Sequence, residues 1–431
     1  MGSDGFEMLS GLSRLSEVSG MKQVKPLSYA LFPGYHCPLM GAMLTMKETE
    51  NAVMVVIGPD ECAYYIQMAT SGGSMKAHGC KIVSVVLDQH DVTFGCQEKM
   101  DEAFSELMEE YCPEAVYLVT TCVVEVTGDD IEAMAVGYSE KYKLPVMVVH
   151  AENFKTDDHL PGIANTLDAS LAIMEQQEIS ECVNVLGMRL GDFTKTELYR
   201  VLHAQGIEPH LMLPGKTSVE KIRRAPCAKC NIVVHPVGLP LAVKMQEKFG
   251  TPYVIFERYS DPDRIFSAYE RLFKVLKKDL PTPIYDNKDA LKRKIPEIRK
   301  LAEGKTYISG NTALAGYELH AFLAGALGMR PLLLQISDLD PEGESFREEL
   351  LQHADPYVTR SANIGAMRSI YPALKPDFNI GAGDTRELMA QKIATLRFVN
   401  AYNTLGFEVT DMVLNAVLQA EAERKMMKEV R

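Results

Sequence analysis

Ala52-Val53-Met54-Val55-Val56-Ile57, followed at once by Gly58-Pro59-Asp60-Glu61-Cys62, is the stretch whose reading decides the fold. An unbroken apolar run rich in β-branched residues predicts a strand covered on both faces, as in parallel sheets. A second such run, Ala115–Val119 (AVYLV), leads through Thr120-Thr121 to Cys122. Each run is followed by turn residues, a cysteine and then a helical pattern. In open α/β sheets, ligands sit in the crevice outside the carboxyl ends of the strands. Cys62 and Cys122 are therefore expected to point into one crevice, with Cys37 of Phe32-Pro33-Gly34-Tyr35-His36-Cys37-Pro38 reaching it from the entering loop. Three soft thiolates converging there point to an iron–sulfur centre. Three is one short of the usual four, so the last donor would come from elsewhere.

Bulk properties narrow the class. A chain of 431 residues suits two or three domains rather than one core. Hydrophobic content of 46% and charged content of 24% are ordinary for a globular protein. Neither an apolar span long enough to cross a bilayer nor a basic-then-apolar leader is seen, so a cytoplasmic location is expected. A net charge of −13 argues against nucleic acid as the partner, because phosphate binding needs a basic footprint. The nine cysteines, without a secretion signal, are expected as reduced thiols or metal ligands in a reducing, oxygen-poor cell.

Along the chain, strands alternate with helices in three rounds. Residues 1–27 read as a loosely attached arm without a strong strand signal. Residues 28–178 form a first α/β unit, with a strand at Lys81–Leu87, helices at Glu98–Tyr111 and Asp129–Lys143, and a strand at Leu144–His150. A second unit, 179–303, starts near Cys182-Val183-Asn184-Val185-Leu186. It runs through the helix Thr194–Gln205, the strand Ile232–Val234, the helix Pro240–Phe249 and the strand Tyr253–Ile255. After the helix Asp263–Lys278, the proline-containing stretch Asp279–Asn287 reads as a linker. The third unit, 304–431, carries strands at Lys305–Gly310, Pro331–Ile336 and Pro376–Gly381, a helix at Ala313–Leu327 and a closing helix at Leu405–Arg424. The fold class is thus α/β, three doubly wound Rossmann-like units with parallel sheets. Two periplasmic-binding-like lobes would fit the second and third units but leave the cysteine layout unexplained.

The spacing Cys37-x24-Cys62-x59-Cys122, with its flanking residues, resembles the nitrogenase component 1 family. That family includes the nitrogenase α and β subunits, their cofactor-assembly scaffold, dark-operative protochlorophyllide reductase and methylthio-alkane reductase. Cys37-Pro38-Leu39-Met40-Gly41-Ala42 resembles the first cluster cysteine, and Gly58-Pro59-Asp60-Glu61-Cys62-Ala63-Tyr64-Tyr65 the second. Asp88-Gln89-His90-Asp91-Val92-Thr93-Phe94-Gly95 is similar to the acidic segment ending in Phe-Gly-Gly. Thr120-Thr121-Cys122-Val123-Val124-Glu125-Val126-Thr127-Gly128-Asp129-Asp130 resembles the β-subunit form of the third cysteine motif. Weaker matches at Lys375-Pro376-Asp377 and Leu405-Gly406-Phe407-Glu408 extend the likeness over residues 29–425.

The resemblance implies that Cys37, Cys62 and Cys122 hold one half of a cluster at a subunit interface, at the carboxyl ends of the strands. The cluster would be an [8Fe-7S] P-cluster type with three cysteines from each side, or a [4Fe-4S] in a 3+1 arrangement. Where nitrogenase β subunits carry a serine that can bind oxidised cluster iron, His150-Ala151-Glu152-Asn153-Phe154 has Asn153, and a neutral amide is a poor iron ligand. The implied partners are an α-like subunit, in an α2β2 heterotetramer, and a homodimeric ATP-hydrolysing reductase protein with its own [4Fe-4S] cluster. Phe94 is the candidate docking contact for that reductase; a core phenylalanine is the alternative. The late stretch Asn403-Thr404-Leu405-Gly406 lacks the histidine of nitrogenase α subunits, and His235 stands where they have a cysteine. These departures favour a β-like subunit, or a member using a different substrate pocket.

Other residues carry less. Gly215-Lys216-Thr217 lacks the glycine five residues earlier that a phosphate-binding loop needs, and no G-x-G-x-x-G occurs, so the chain is expected neither to hydrolyse ATP nor to bind NAD. Cys227-x-x-Cys230 precedes a strand, which puts it at the opposite end from the crevice, and reads as structural. Cys80, Cys112 and Cys182 read as buried packing or surface thiols, and so does Cys96, since cysteine is often a small buried hydrophobe. Arg360, Asn363 and Arg368 lie in a polar stretch that reads as a solvated loop or a pocket wall. The function these readings favour is the β-like, electron-relaying subunit of an ATP-dependent nitrogenase-like reductase, whose substrate is reduced on the partner subunit. The alternatives are a cofactor-assembly scaffold subunit and a homodimeric tetrapyrrole reductase.

Overall fold

The strand Ala52–Gly58 is buried along its whole length and is hydrogen-bonded on both sides in parallel, to Lys81–Val86 and to Ala115–Thr120. The structure is a computed structural model that describes residues 2–27, 37–71, 78–156, 158–310, 314, 316–336, 343–360 and 364–429. Residues 32–36 before Cys37, and also Ala313 and Asn363, lie outside the described residues.

Two compact units make up the chain. One comprises residues 33–189 and 202–255, the other residues 1–32, 190–201 and 256–431. The first unit contains two parallel four-stranded sheets. In one, the strands lie in the order Lys81–Val86, Ala52–Gly58, Ala115–Thr120, Val146–Val149. Val53, Val55, Ile57, Val116 and Leu118 pack on one face against Phe104 and Tyr138, whose rings stack with centroids 4.2 Å apart. Both central strands are covered on both faces, which is why their sequences are continuously apolar and not alternating. The other sheet has the order Tyr253–Ile255, Ala228–Val233, Ser180–Leu186, Glu208–Leu213.

The second unit holds a six-stranded sheet. Its parallel strands Tyr357–Thr359, Arg330–Gln335, Thr306–Ser309, Phe378–Ile380 and Ala394–Leu396 are joined by the antiparallel pair Ser13–Arg14 at one edge. Residues 2–27 are therefore not a loose arm. Arg14 Nη1 donates to the Asp355 carbonyl at 2.9 Å, and Arg347 Nη2 donates to the carbonyls of Leu15 and Val18 at 3.0 and 2.6 Å. A two-residue strand leaves no periodic trace in sequence, because its partners lie hundreds of residues away.

The stretch expected as a linker, Asp279–Asn287, is largely helical. Thr282–Ala302 is one helix, with Pro281 at its N-cap and Pro283 in its first turn. Proline suits a helix start, where its missing N–H has no intrahelical partner to lose. Ile284, Leu291 and Ile298 recur at seven-residue intervals on its buried face, and the helix packs on Phe407–Glu429. The closing helix runs past Arg424 to Glu429, with Arg424 buried between Glu421 and Asp377.

Candidate functional site

The three cysteines of the sequence reading lie in the same unit, each at the start of a helix. Cys37 is the residue before Pro38–Met46, Cys62 lies in the first turn of Asp60–Thr70, and Cys122 is the first residue of Cys122–Thr127. Backbone N–H groups left free in a first turn, with the positive end of the helix dipole, favour a thiolate over a thiol. The N–H groups of Leu39 and Met40 donate to Cys37 in this way.

The thiols share one electrostatic neighbourhood. Burial pushes Cys37 up, and the negative charge of Cys122 adds to that. Cys62 is pushed up to about 11, first by burial, then by the charges of Cys37 and Cys122, with Glu61 adding and Thr121 opposing. Burial and Cys37 also raise Tyr65 to about 12. Like charges near one another in a half-buried place favour the neutral thiols, and a bound cation would reverse that preference. Among the described residues, no three His, Cys, Asp or Glu side chains converge tightly enough to hold one metal ion. A cluster differs from a single ion here, because each thiolate takes its own iron and the sulfurs stay apart.

Close backbone approaches build the site. A Cβ on Gly58 would lie 2.2 Å from Thr121 Oγ1, so only glycine lets the end of Ala52–Gly58 pass under the turn carrying Cys122. The Thr121 hydroxyl is buried without a partner of good hydrogen-bond geometry, and the group it acts on is Cys62. Helices Pro38–Met46 and Leu160–Ala169 meet backbone to backbone: a Cβ on Gly162 would lie 1.8 Å from the Pro38 carbonyl, and one on Gly41 2.0 Å from the His159 carbonyl. That contact fixes the turn that presents Cys37. Sequence reasoning missed Gly162 and Thr121. Gly41 and Gly58 stood inside the cysteine motifs, but nothing local showed what they touch.

Asn153 reaches Cys122 by its main chain. Its backbone N–H donates to Cys122 Sγ at 3.1 Å, while the residue itself is exposed. Glu125, one helical turn after Cys122, accepts from the Thr120 hydroxyl and pairs with His150 Nδ1 at 2.6 Å; His150 Nε2 meets Glu132 at 3.1 Å. Burial works against charge on His150, but its two carboxylates outweigh it and raise the pKa.

Phe94 is not a core residue; it is 77% exposed. It ends the short helix Gln89–Phe94, which Asp88 caps by accepting from the N–H groups of His90 and Asp91, and Gly95 follows at φ +96°. Tyr64, Met68, Val126 and Phe154, on the segments that carry Cys62, Cys122 and Asn153, are also exposed. Exposed large apolar side chains thus lie on the same segments as the thiols and Asn153.

The remaining sequence candidates divide clearly. Cys96 is fully buried in the core, and its N–H donates to Asp129 at 3.0 Å; Cys80 is buried and Cys112 exposed. Cys182, read as a packing or surface thiol, has a neighbour: its sulfur lies 3.7 Å from that of Cys227. His235 caps the turn Pro236–Gly238, accepting from the Val237 N–H at 3.3 Å. In the other unit, Arg360 Nη2 donates to the Met21 carbonyl at 2.8 Å and Arg368 pairs with Asp384 at 2.6 Å. That unit also has a cavity of about 420 Å³ at the carboxyl ends of Phe378–Ile380 and Ala394–Leu396, lined by Gly381, Arg397, Asn400, Tyr402 and Asn403. No helix among the described residues is long and apolar enough to cross a membrane.

Residues 37–414, which begin at the first of the three cysteines, match the family described as nitrogenase component 1 type oxidoreductase. The chain belongs to that family. The nitrogenase iron-molybdenum cofactor biosynthesis protein NifE of Clostridium pasteurianum is 31% identical over 235 residues, 53% of this chain and 51% of that protein. The nitrogenase molybdenum-iron protein alpha chain of the same organism is 27% identical over 296 residues, 62% of this chain and 54% of that protein. The chain thus spans about half the length of the curated relatives it matches. The solved structure titled "Nitrogenase Cp1 at pH 6.5" superposes with a TM-score of 0.72 at 15% identity, over 94% of this chain and 95% of that one, and so shares the fold. The component 1 fold accounts for the parallel sheets.

Proposed function

We propose that this chain is the cluster-holding subunit of a nitrogenase-like complex, with Cys37, Cys62 and Cys122 as iron ligands at an interface with a second subunit. The observation that carries this reading is the placement of the three thiols at helix starts in one unit, near enough that Cys37 and Cys122 both bear on Cys62. The residues fit an iron–sulfur cluster on three counts: an all-thiolate donor set, an N–H already aimed at Cys122 Sγ, and an otherwise unpartnered Thr121 hydroxyl beside Cys62. When bound, the cluster supplies one-electron chemistry.

Around it, the chain's own groups have separate tasks. The Asn153 N–H and the first-turn N–H groups at Cys37 stabilise thiolate charge and hold the sulfurs in place. Glu125 and Glu132 hold a proton on His150. Phe94 and the apolar side chains near the thiols meet partner proteins, an α-like subunit on one side and the ATP-hydrolysing reductase protein on the other.

Two roles use this same apparatus. In the first, the chain is a β-like subunit that relays electrons to a substrate site on its partner. In the second, it is a subunit of a cofactor-assembly scaffold, holding a cluster and passing it on. The likeness to NifE, at 31% and 29% identity in two organisms, favours the scaffold.

Anaerobic purification with co-expressed partner, followed by iron and acid-labile sulfide analysis and EPR, tests the shared core. Iron that is lost in Cys37→Ala, Cys62→Ala and Cys122→Ala supports it; an intact complex without iron overturns it. Adding the reductase protein with MgATP then divides the roles. Substrate reduction supports the relay, and delivery of cluster to an apo-enzyme without turnover supports the scaffold.

A further inference from the structure

Away from the candidate cluster site, two thiols meet in the second sheet of the same unit. Cys182 lies in the strand Ser180–Leu186, and Cys227 ends the short turn Ala225–Cys227 that enters the neighbouring strand Ala228–Val233. Their sulfurs are 3.7 Å apart, and Cys182 Sγ also faces the Cys227 carbonyl at 4.0 Å. In the strand register Ala228 lies opposite Ser180 and Cys230 opposite Val183, with a shift between them, so Cys182 falls beside the irregular stretch and Cys227 just before it. Sulfurs in contact need to close by less than about 2 Å to reach the roughly 2.05 Å of a disulfide bond. Side-chain rotation in a locally irregular ladder can supply that movement.

The two thiols differ in access. Cys182 is half-buried and so the more accessible of the two, while Cys227 is buried. Cys230, the other half of the Cys-x-x-Cys motif, is fully buried and its thiol donates to the Asn231 carbonyl at 3.5 Å. The spatial pair is therefore Cys182 with Cys227, and the sequence motif is misleading about which sulfurs face each other.

We propose that Cys182 and Cys227 form a reversible thiol–disulfide pair that exchanges with a small-molecule disulfide. The Cys182 thiolate attacks one sulfur of the reagent, whose S–S bond breaks, and the departing thiolate takes up the proton Cys182 has lost. The Cys227 thiolate then attacks Cys182 Sγ, and the second reagent thiolate leaves with the proton from Cys227. Two protein thiols are oxidised, one reagent disulfide is reduced to two thiols, and the steps reverse under reducing conditions. Oxidation ties the strand Ser180–Leu186 covalently to the turn before Ala228–Val233.

The local environment sets the speed. Burial, then the neighbouring Cys227, pushes the Cys182 thiol up to about 12. Little thiolate is then present near pH 7, so exchange is slow and accelerates by up to about tenfold per pH unit. The pair responds to a sustained oxidising poise, not to a brief pulse. It does not depend on the iron reading, because neither sulfur belongs to the proposed cluster site.

The test uses the full chain, purified anaerobically and incubated with oxidised glutathione, followed by alkylation of free thiols and peptide mass mapping. The expected product is a Cys182–Cys227 cross-linked peptide that dithiothreitol removes, forming up to about tenfold faster for each pH unit between 7 and 9. Cys227→Ser should instead stop at glutathione on Cys182, and Cys182→Ser should give neither product. Protection of both thiols from alkylation in the oxidised wild-type chain reports the same link without any substitution. A Cys227–Cys230 link, glutathione retained on wild-type Cys182, or unchanged alkylation of Cys182 would each overturn the proposal.

Discussion

Glu197 and Glu408 cap each other's helices. Glu197 begins Glu197–Ala204, and its carboxylate accepts from the Glu408 N–H at 3.1 Å; Glu408, in the first turn of Phe407–Glu429, accepts from the Glu197 N–H at 3.2 Å. The Tyr269 hydroxyl completes the buried end by donating to Glu197 at 3.1 Å, and Arg200 pairs with Glu408 at the surface. Gly406 stands at φ +94°, where an added Cβ would lie 2.8 Å from that hydroxyl. Two acidic groups at helix starts are each favoured by the dipole they face.

This pair makes stability depend on pH. Burial raises Glu197 to about 7 against an ordinary value of 4.5. The folded chain therefore binds more protons than the unfolded one between those values, and stability falls as pH rises through that window, by roughly 3 kcal/mol in total. Thermal unfolding from pH 4.5 to 7.5 should show this fall, and Glu197→Gln should flatten it. Glu197→Ala, which leaves the Tyr269 hydroxyl and the Glu408 N–H unpaired, should cost about 2–3 kcal/mol.

The glycine contact beneath Cys37 is the next point of leverage. Gly162→Ala places a methyl where the Pro38 carbonyl stands, and both neighbours are backbone, so a helix must shift. We expect a loss of about 2 kcal/mol or more in denaturant unfolding. Iron per chain should fall with it, because Pro38 directly follows Cys37. Gly137→Ala, in the interior of Ile131–Tyr142 with nothing near its Cβ, is the matched control: it should raise stability by about 0.5–1 kcal/mol and leave iron unchanged.

Asn153 offers a sharper discrimination, since its contact with Cys122 is made by the main chain. Asn153→Ala keeps the N–H and should leave iron content and the EPR signal unchanged. Asn153→Pro removes that donor at the start of a 3₁₀ turn, where proline is tolerated. It should alter the EPR signal or the midpoint potential while the fold, read by circular dichroism, persists. Equal effects from both substitutions would assign the role to the amide side chain instead.

Phe94 separates contact from stability. An exposed aromatic contributes little to folding, so Phe94→Ala should move the unfolding free energy by no more than about 0.5 kcal/mol. Pull-down of the reductase protein in the presence of MgATP should nonetheless weaken clearly. Unchanged capture would remove Phe94 from the docking surface.

The parts of this molecule that were readable in advance are those whose cause is local. Ala52–Ile57 and Ala115–Val119 are covered on both faces, so their burial is written in consecutive residues, and the cysteines after them followed from the chain's direction. What escaped depends on distant partners. Ser13–Arg14 is a strand only because Tyr357–Val358 lies beside it, and Pro281 and Pro283 read as a break when they begin a helix. Cys182 read as a packing or surface thiol because its neighbour stands in the turn before the next strand, and Asn153 was judged by a side chain its contact does not use. Thr121 and Gly58 sat in plain view inside motifs, but their near-collision is a fact of three dimensions.

The edge strand Ser13–Arg14 has a bearing on how the molecule is made. Its anchor at Asp355 is 341 residues further along, so at ordinary translation speeds of about 5–20 residues per second the first segment waits roughly 20–70 s for its docking site. Every residue of the thiol-bearing unit, whose last segment ends at residue 255, has been synthesised before that. The order of synthesis thus lets the thiol-bearing unit be complete on the ribosome while Ser13–Arg14 is still unmatched, a stage at which chaperones would meet the chain.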